Sequence, residues 1–237
     1  MPTAFQAFAV NTFPSNDKFQ TDEQLSLLAD SEQNVEVLCT KVAKSPHASA
    51  VYTARFDVEH DFLFELQYPG RARGKSFREF VTLYKFPVFL SDHSDGLGFR
   101  PLLVKTKKKV AAEFATRLNR HVAAFNVTPT EVDFAALRPR RTFIRGAWFG
   151  AMQARNILTT GVFGPHVDQS DEFRHAEMIG RLTNLMVEIE SDPVAHTVMI
   201  TRDGGIVLYN AYQTEDEEVA VAFDVLTSLL AGSIVPR

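Results

Sequence analysis

Apolar and polar positions along this chain fall into two rhythms, period two for strands and period 3.6 for helices. Ala4–Phe13 alternates loosely and carries three Phe, which predicts a strand. Thr21-Asp-Glu-Gln24 fits a capping box ahead of Leu25, Leu27 and Leu28, predicting a short helix over 21–31. Val35–Val42 returns to strand character. Ser49–Val58 and Asp61–Tyr68 are β-rich runs on either side of a tight acidic turn, and Pro69-Gly70 marks another turn. Phe77–Leu90 is long and Phe-rich, and Pro87 inside it predicts an edge strand or two short strands. Lys107–Phe125 switches to helical period, with Val110, Phe114, Leu118, His121, Val122 and Phe125 on one face.

The rest of the chain repeats this order. Residues 126–141, with Pro129 and Pro139, read as a connector. Thr142–Met152 and Ile157–Phe163 are strands around the turn Gln153–Asn156. Ser170-Asp-Glu opens a short helix to about Ile179, closed by Gly180. Leu182–Glu190 is a strand, and Asp203-Gly204-Gly205 joins His196–Arg202 to Ile206–Ala211 as a hairpin. Thr214-Glu-Asp-Glu217 starts a final helix with Val219, Phe223, Leu226 and Leu230 as its buried stripe, Gly232 as its stop and a frayed tail beyond. The expected fold class is therefore α+β, built of two pseudo-repeats (1–125 and 142–237) joined by 126–141. Each is an antiparallel sheet backed by a long helix. Where the two sheets continue into each other they make one saddle-shaped sheet with the helices on its convex side.

At 237 residues, 45% hydrophobic and 23% charged, the chain can bury a core and is not a disordered tail. No apolar run reaches membrane-spanning length and the N-terminus has no basic region before an apolar stretch, so neither a spanning helix nor a secretory signal is expected. The single cysteine, Cys39, excludes an internal disulfide and a cysteine-based zinc site and suits a reducing, intracellular compartment. Net charge is only −4, but it divides unevenly. Residues 71–145 hold 16 Lys/Arg against six acids (+10), between flanks of −6 and −8. A basic middle can be a polyanion-binding surface; equally, the fold can intermix these charges on a solvated face.

Chemistry is sparse. His166, His175 and His196 lack the spacing of a zinc site, and Ser91-Asp-His-Ser-Asp-Gly96 lacks the later Glu of a calcium loop. There is no nucleophile elbow and no P-loop, and Glu188 and Glu190 read as exposed strand charges. No catalytic residue, metal site or cofactor is expected. The 20 Phe are mostly core, although Phe62 with Phe64, or Phe77 with Phe89, share strand faces that could serve as a wedge or stacking platform.

The strand, the hairpin Val198-Met-Ile-Thr-Arg-Asp-Gly-Gly-Ile-Val-Leu-Tyr-Asn-Ala-Tyr212 and the helix with an acidic start, over Leu182–Gly232, resemble the second repeat of TATA-box-binding proteins, especially divergent viral members. The element order of residues 4–125 is similar to the first repeat. The resemblance implies a transcription factor that binds duplex DNA on its concave sheet face and transcription proteins on its helices, in the nucleus or at a viral transcription site; this family's minor-groove wedges are a worked example of DNA kinking. It places Leu182, Thr197, Thr201, Val207 and Tyr209 on the DNA face. Arg71, Arg73, Lys75, Arg138, Arg140 and Arg141 fall at a basic rim, where phosphates lie. Thr201 stands where a wedge Phe is expected, a departure from the family pattern. The alternative is a non-catalytic interaction or assembly subunit of the same fold that has lost DNA binding, which the acidic flanks and Thr201 favour.

Overall fold

The computed structural model describes residues 2–24, 37–72, 74–94, 96–137, 143–153, 157–191 and 194–237. It is mixed α+β, with one large, open, antiparallel sheet and four α-helices. The strands are β1 (Thr3–Thr12), β2 (Lys18–Gln24), β3 (Val37–Lys44), β4 (Ala54–Ala72), β5 (Lys75–Leu90), β6 (Arg100–Val104), β7 (Asn126–Val132), β8 (Phe143–Gly150), β9 (Thr160–Phe163), β10 (Arg181–Ser191), β11 (Val194–Thr201), β12 (Gly205–Leu208) and β13 (Ile234–Pro236). The helices are α1 (Lys108–His121), α2 (Phe134–Leu137), α3 (Asp171–Ile179) and α4 (Glu215–Asp224). The last continues as one π-helical stretch, Val225–Leu229.

Across the sheet the order is β2-β3-β4-β5-β6-β1-β12-β11-β10-β8-β9. β1 is the centre, buried from Phe5 to Val10, and it forks the sheet. Thr3–Gln6 pair with β12, whereas Phe8–Thr12 pair with β7, which pairs in turn with β13. Because side chains alternate along a strand, β1 feeds two cores. Phe5 and Ala7 point into a cluster with Leu103, Phe89, Ile206, Leu185, Phe149 and the α4 residues Val219, Ala222 and Leu226. Phe8 and Val10 point the other way, to Leu102, Val104, Val88, Phe56 and the α1 residues Val110, Phe114 and Leu118. The two long helices therefore lie on opposite faces of one sheet, which corrects the expectation that both back a convex side.

Several local expectations are also corrected. Thr21–Gln24 end strand β2, in register with Thr40–Val37 of β3, rather than opening a helix; residues 25–31 lie outside the described residues. A capping box is a local signal, and the ladder with β3, which buries Thr21, outcompetes it. The acidic turn before Asp61 does not form: β4 runs straight through, His60 points inward with no exposure, and the Asp61 carboxylate accepts from Cys39 N at 3.0 Å. Pro69-Gly70 makes no turn: Leu66–Pro69 form a bulge within β4, four residues facing Arg78 between the pairs Glu65↔Glu79 and Gly70↔Phe77. The real turn follows at Gly74, whose φ of +79° suits glycine.

β5 is one unbroken strand between β4 and β6, not an edge. Pro87 is tolerated because its carbonyl, on the side lacking an N–H, accepts from Lys105 N just past the end of β6. The 126–141 connector carries β7 and α2, with 138–141 outside the described residues, and the tail is paired as β13 instead of frayed.

Candidate functional site

α3 and α4 cover one face of the β8–β12 part of the sheet, and α1 covers the opposite face only over the β1–β6 part. On α1's side, β8–β12 are left without a covering helix among the described residues. Register assembles this face in rows. One row runs Ala4, Val207, Met199, Met186, Gly146, Phe163; beside it run Thr201, Asn184, Trp148 and Gly161. Tyr209, Thr197 and Glu188 form the third row.

Four of the five residues expected on a contact face, Thr197, Thr201, Val207 and Tyr209, are thus brought together. Leu182 is not: it is buried against Phe149 on the helix side. The cause is a bulge at Thr183, between the pairs Leu182↔Phe149 and Asn184↔Trp148, which inverts the parity of β10. Thr201 is also not free to contact a groove, since its Oγ1 bonds the Asp203 carboxylate and accepts from Gly205 N at 2.8 Å inside the hairpin turn.

The face is aromatic and methionine-rich. Phe163 is 60% exposed and meets Trp148 edge-on at 4.9 Å. It lies flat over Gly146 and Gly161, where a Cβ would come within 2.9 and 2.8 Å of its ring. The Tyr209 hydroxyl rests 3.8 Å from Met199 Sδ. The cation beside the face, Arg145, is already engaged, donating to Glu188 at 2.8 Å and lying 4.2 Å over the Phe143 ring.

Of the basic residues expected at the rim, two are among the described residues and four are not. Arg73, Arg138, Arg140 and Arg141 are outside the described residues. Arg71 and the backbone of Lys75 sit at the tip of the β4–β5 hairpin, separated from β11 by β6, β1 and β12. Beyond His60 no strand but β5 pairs with β4 among the described residues, so Asp61–Leu83 forms a two-stranded arm. At about 3.3 Å per residue it reaches roughly 30 Å from the sheet. Its stiffening comes from Phe62, Phe64, Phe80 and Tyr84 on one side, with Phe64 stacked on Phe80 at 5.1 Å. Phe89, by contrast, is core.

Tertiary pairing decides what the basic middle can do. Lys85 pairs with Glu59, Arg117 and Arg120 with Glu23, Lys105 with Glu215 and Glu218, Lys108 with Asp203, and Arg145 with Glu188. These carboxylates all come from the two acidic flanks, which the fold wraps around the basic segment. At the arm tip the exposed Arg71 and Arg78 have no carboxylate partner among the described residues.

A buried polar cluster lies under α1. His60 Nδ1 lies 2.8 Å from Thr40 Oγ1, and its Nε2 faces the Glu113 carboxylate. Arg117, 1% exposed, donates to Glu113 at 2.6 Å and Thr40 at 3.1 Å. Arg117 and Glu113 at i, i+4 on a helix were a findable pair. Their partners His60 and Thr40 come from strands that only the tertiary fold brings there. Packed between helix and sheet, the cluster fastens α1 to β3 and β4. Among the described residues no group of three or more His, Cys, Asp or Glu is placed to hold a metal ion, and no helix is long and apolar enough to cross a membrane. A scan against protein-family models finds no match for this chain, and a search of curated proteins finds no similar sequence.

Proposed function

We propose that this protein is a non-catalytic, duplex-DNA-binding protein that meets the phosphate backbone with the basic tip of its β4–β5 arm. The observation that carries the reading is the charge pairing: Lys85, Lys105, Lys108, Arg117, Arg120 and Arg145 on the body are matched by flank carboxylates and Arg100 by Asp92, whereas Arg71 and Arg78 at the arm tip, like Lys107 and Lys109 at the start of α1, are exposed without one among the described residues. Cations held on a projecting two-stranded ribbon are free to replace counterions along a duplex. The resemblance to TATA-box-binding proteins supports DNA as the ligand and a nuclear or viral transcription site. A pseudo-repeat reading of the element order goes with it. In this reading the arm supplies the phosphate contacts, because helices on opposite faces do not back a single saddle. Fluorescence anisotropy with AT-rich and GC-rich duplexes across a salt series tests it. Arg71→Gln with Arg78→Gln lowers the salt slope by about 2, at about 0.9 per lost phosphate contact. Wild-type affinity and slope in that variant defeat the reading.

The second reading, an assembly subunit, is favoured by the uncovered face. Trp148, Phe163, Met186, Met199, Val207 and Tyr209 form a charge-poor, aromatic and Met-rich surface of the composition found at the centre of protein interfaces. Native mass measurement of a stable hetero-complex without DNA, lost on Phe163→Ser, would establish it.

A further inference from the structure

The fork at β1 creates a second charged feature, on the body of the protein and independent of the arm. β12 and β7 part at Ala7, and the hairpin turn Arg202–Gly204 fits between them: Gly204 O accepts from Ala7 N at 3.0 Å, and Arg202 O accepts from Val132 N at 2.6 Å. Beside this turn lies a hollow of about 240 Å³ lined by Lys108, Arg181, Arg202, Arg237, Glu131 and Asp203. Four cations here share two carboxylates. Arg181, Arg202 and Arg237 converge on the single carboxylate of Glu131 at 3.1, 3.7 and 3.9 Å, and Lys108 pairs with Asp203. Asp133, which also acts on Arg202, leaves the balance positive.

One of these cations is fixed in place. Arg202 donates through Nε and Nη2 to Leu182 O at 2.9 and 2.7 Å, and its guanidinium lies 5.5 Å over the Phe134 ring. Burial, with the positive charge of Arg181, lowers its pKa, so a further negative charge in the hollow is favoured. A rigid guanidinium with a second guanidinium and an ammonium around one cavity matches a tetrahedral oxyanion of charge −2, which can take bidentate contacts that one shared carboxylate cannot satisfy.

We propose that the hollow between the β11–β12 turn, β7 and the start of α1 binds a phosphate group, with Arg181, Arg202 and Lys108 as its ligands. The test is thermal unfolding of the full chain titrated with inorganic phosphate, with chloride at equal ionic strength as the control. The expected result is a saturable rise in Tm with phosphate that chloride does not reproduce. Arg181→Gln and Lys108→Gln, both at exposed side chains, each weaken it about tenfold, the loss of one charge-assisted contact. Equal responses to phosphate and chloride, or wild-type titrations in both variants, overturn the proposal. In the Arg71→Gln/Arg78→Gln variant, which removes the arm's phosphate contacts, oligonucleotides with and without a 5′-phosphate separate the sources: a response confined to the phosphorylated ones assigns a nucleic-acid end, and a response to free phosphate alone assigns a small phosphorylated ligand. A response equal for both oligonucleotides overturns a discrete phosphate site. Arg71→Gln with Arg78→Gln leaves the phosphate titration unchanged; its loss there would place the effect on the arm instead.

Discussion

Replacing Glu113 by Ala tests what holds α1 to the sheet. In the wild type the Arg117 guanidinium, 1% exposed, has Glu113 at 2.6 Å, Glu23 at 3.4 Å and Thr40 Oγ1 at 3.1 Å. Removing one partner of a buried ion pair costs about 3–5 kcal/mol, because the other charge is stranded. Two features lower that figure. The Glu113 side chain is 33% exposed, so water already screens it, and Glu23 continues to neutralise Arg117. The expected loss is about 2 kcal/mol, or a fall of roughly 0.7 M in the urea midpoint if m is about 3 kcal/mol/M. Urea unfolding followed by the fluorescence of the single tryptophan, Trp148, and by circular dichroism measures it; coincident curves show that one transition is being read. The same change in an Arg117→Met background should cost at least about 1 kcal/mol less, since no guanidinium is then left unpaired. A loss below about 0.5 kcal/mol in the wild-type background, or the same loss in both backgrounds, refutes the argument.

Gly204 has φ of +78°, and a Cβ there would run into Thr130 Oγ1, which donates to Ala7 O at 2.9 Å; Gly204→Ala is expected to destabilise by about 2 kcal/mol, and an unchanged urea midpoint contradicts this. Burial is the largest influence on Asp203 and pushes its carboxyl up, but hydrogen bonds from Lys108 and Thr201 and the Lys108 charge outweigh it and hold the group below its ordinary 3.8. A lowered folded pKa contributes stability above the unfolded value that is lost as pH falls through the folded one. The wild type should therefore lose more stability than Asp203→Asn between about pH 5 and 3, and parallel pH–stability curves would count against the pairing. Lys105→Met leaves Glu218, whose side chain is 11% exposed, without its 2.6 Å partner. It should cost about 1–2 kcal/mol while leaving duplex affinity unchanged, the opposite pattern to Arg71→Gln, and anisotropy beside urea unfolding distinguishes the two.

Period and caps made the local elements legible. α1, α3, α4 and the β11–β12 hairpin stand where Phe114 and Leu118, Ser170, Thr214 and Asp203-Gly204 place them, and Ser170 Oγ and Thr214 Oγ1 accept the cap bonds from Phe173 N and Glu217 N at 3.1 and 3.2 Å. What stayed illegible needs partners from far along the chain. Thr21–Gln24 has helix-start chemistry but joins β3, and Pro69-Gly70 has turn chemistry but makes no turn, because Gly70 resumes pairing with β5 after the Leu66–Pro69 bulge. Parity fails in the same way. Strict alternation puts Leu182 and Asn184 on one face, and the extra residue at Thr183 separates them, so Thr197, Thr201, Val207 and Tyr209 share the uncovered face and Leu182, beyond the bulge, does not.

Charge along the chain misleads for a related reason. The +10 of residues 71–145 is a one-dimensional sum, and whether a cation is available depends on which strands lie beside it. In the body of the sheet Arg117, Lys108 and Lys105 are met by Glu23, Asp203, Glu215 and Glu218, which arrive there from both ends of the chain. A two-stranded arm offers no such neighbour, because β4 and β5 pair only with each other beyond His60 among the described residues, and the acid opposite Glu65 is another acid, Glu79. Arg71 and Arg78 are left to solvent by topology rather than by composition. They do not fasten the fold, so they can be changed without loss of stability, and this makes the tip the place where a test of polyanion binding reads binding alone.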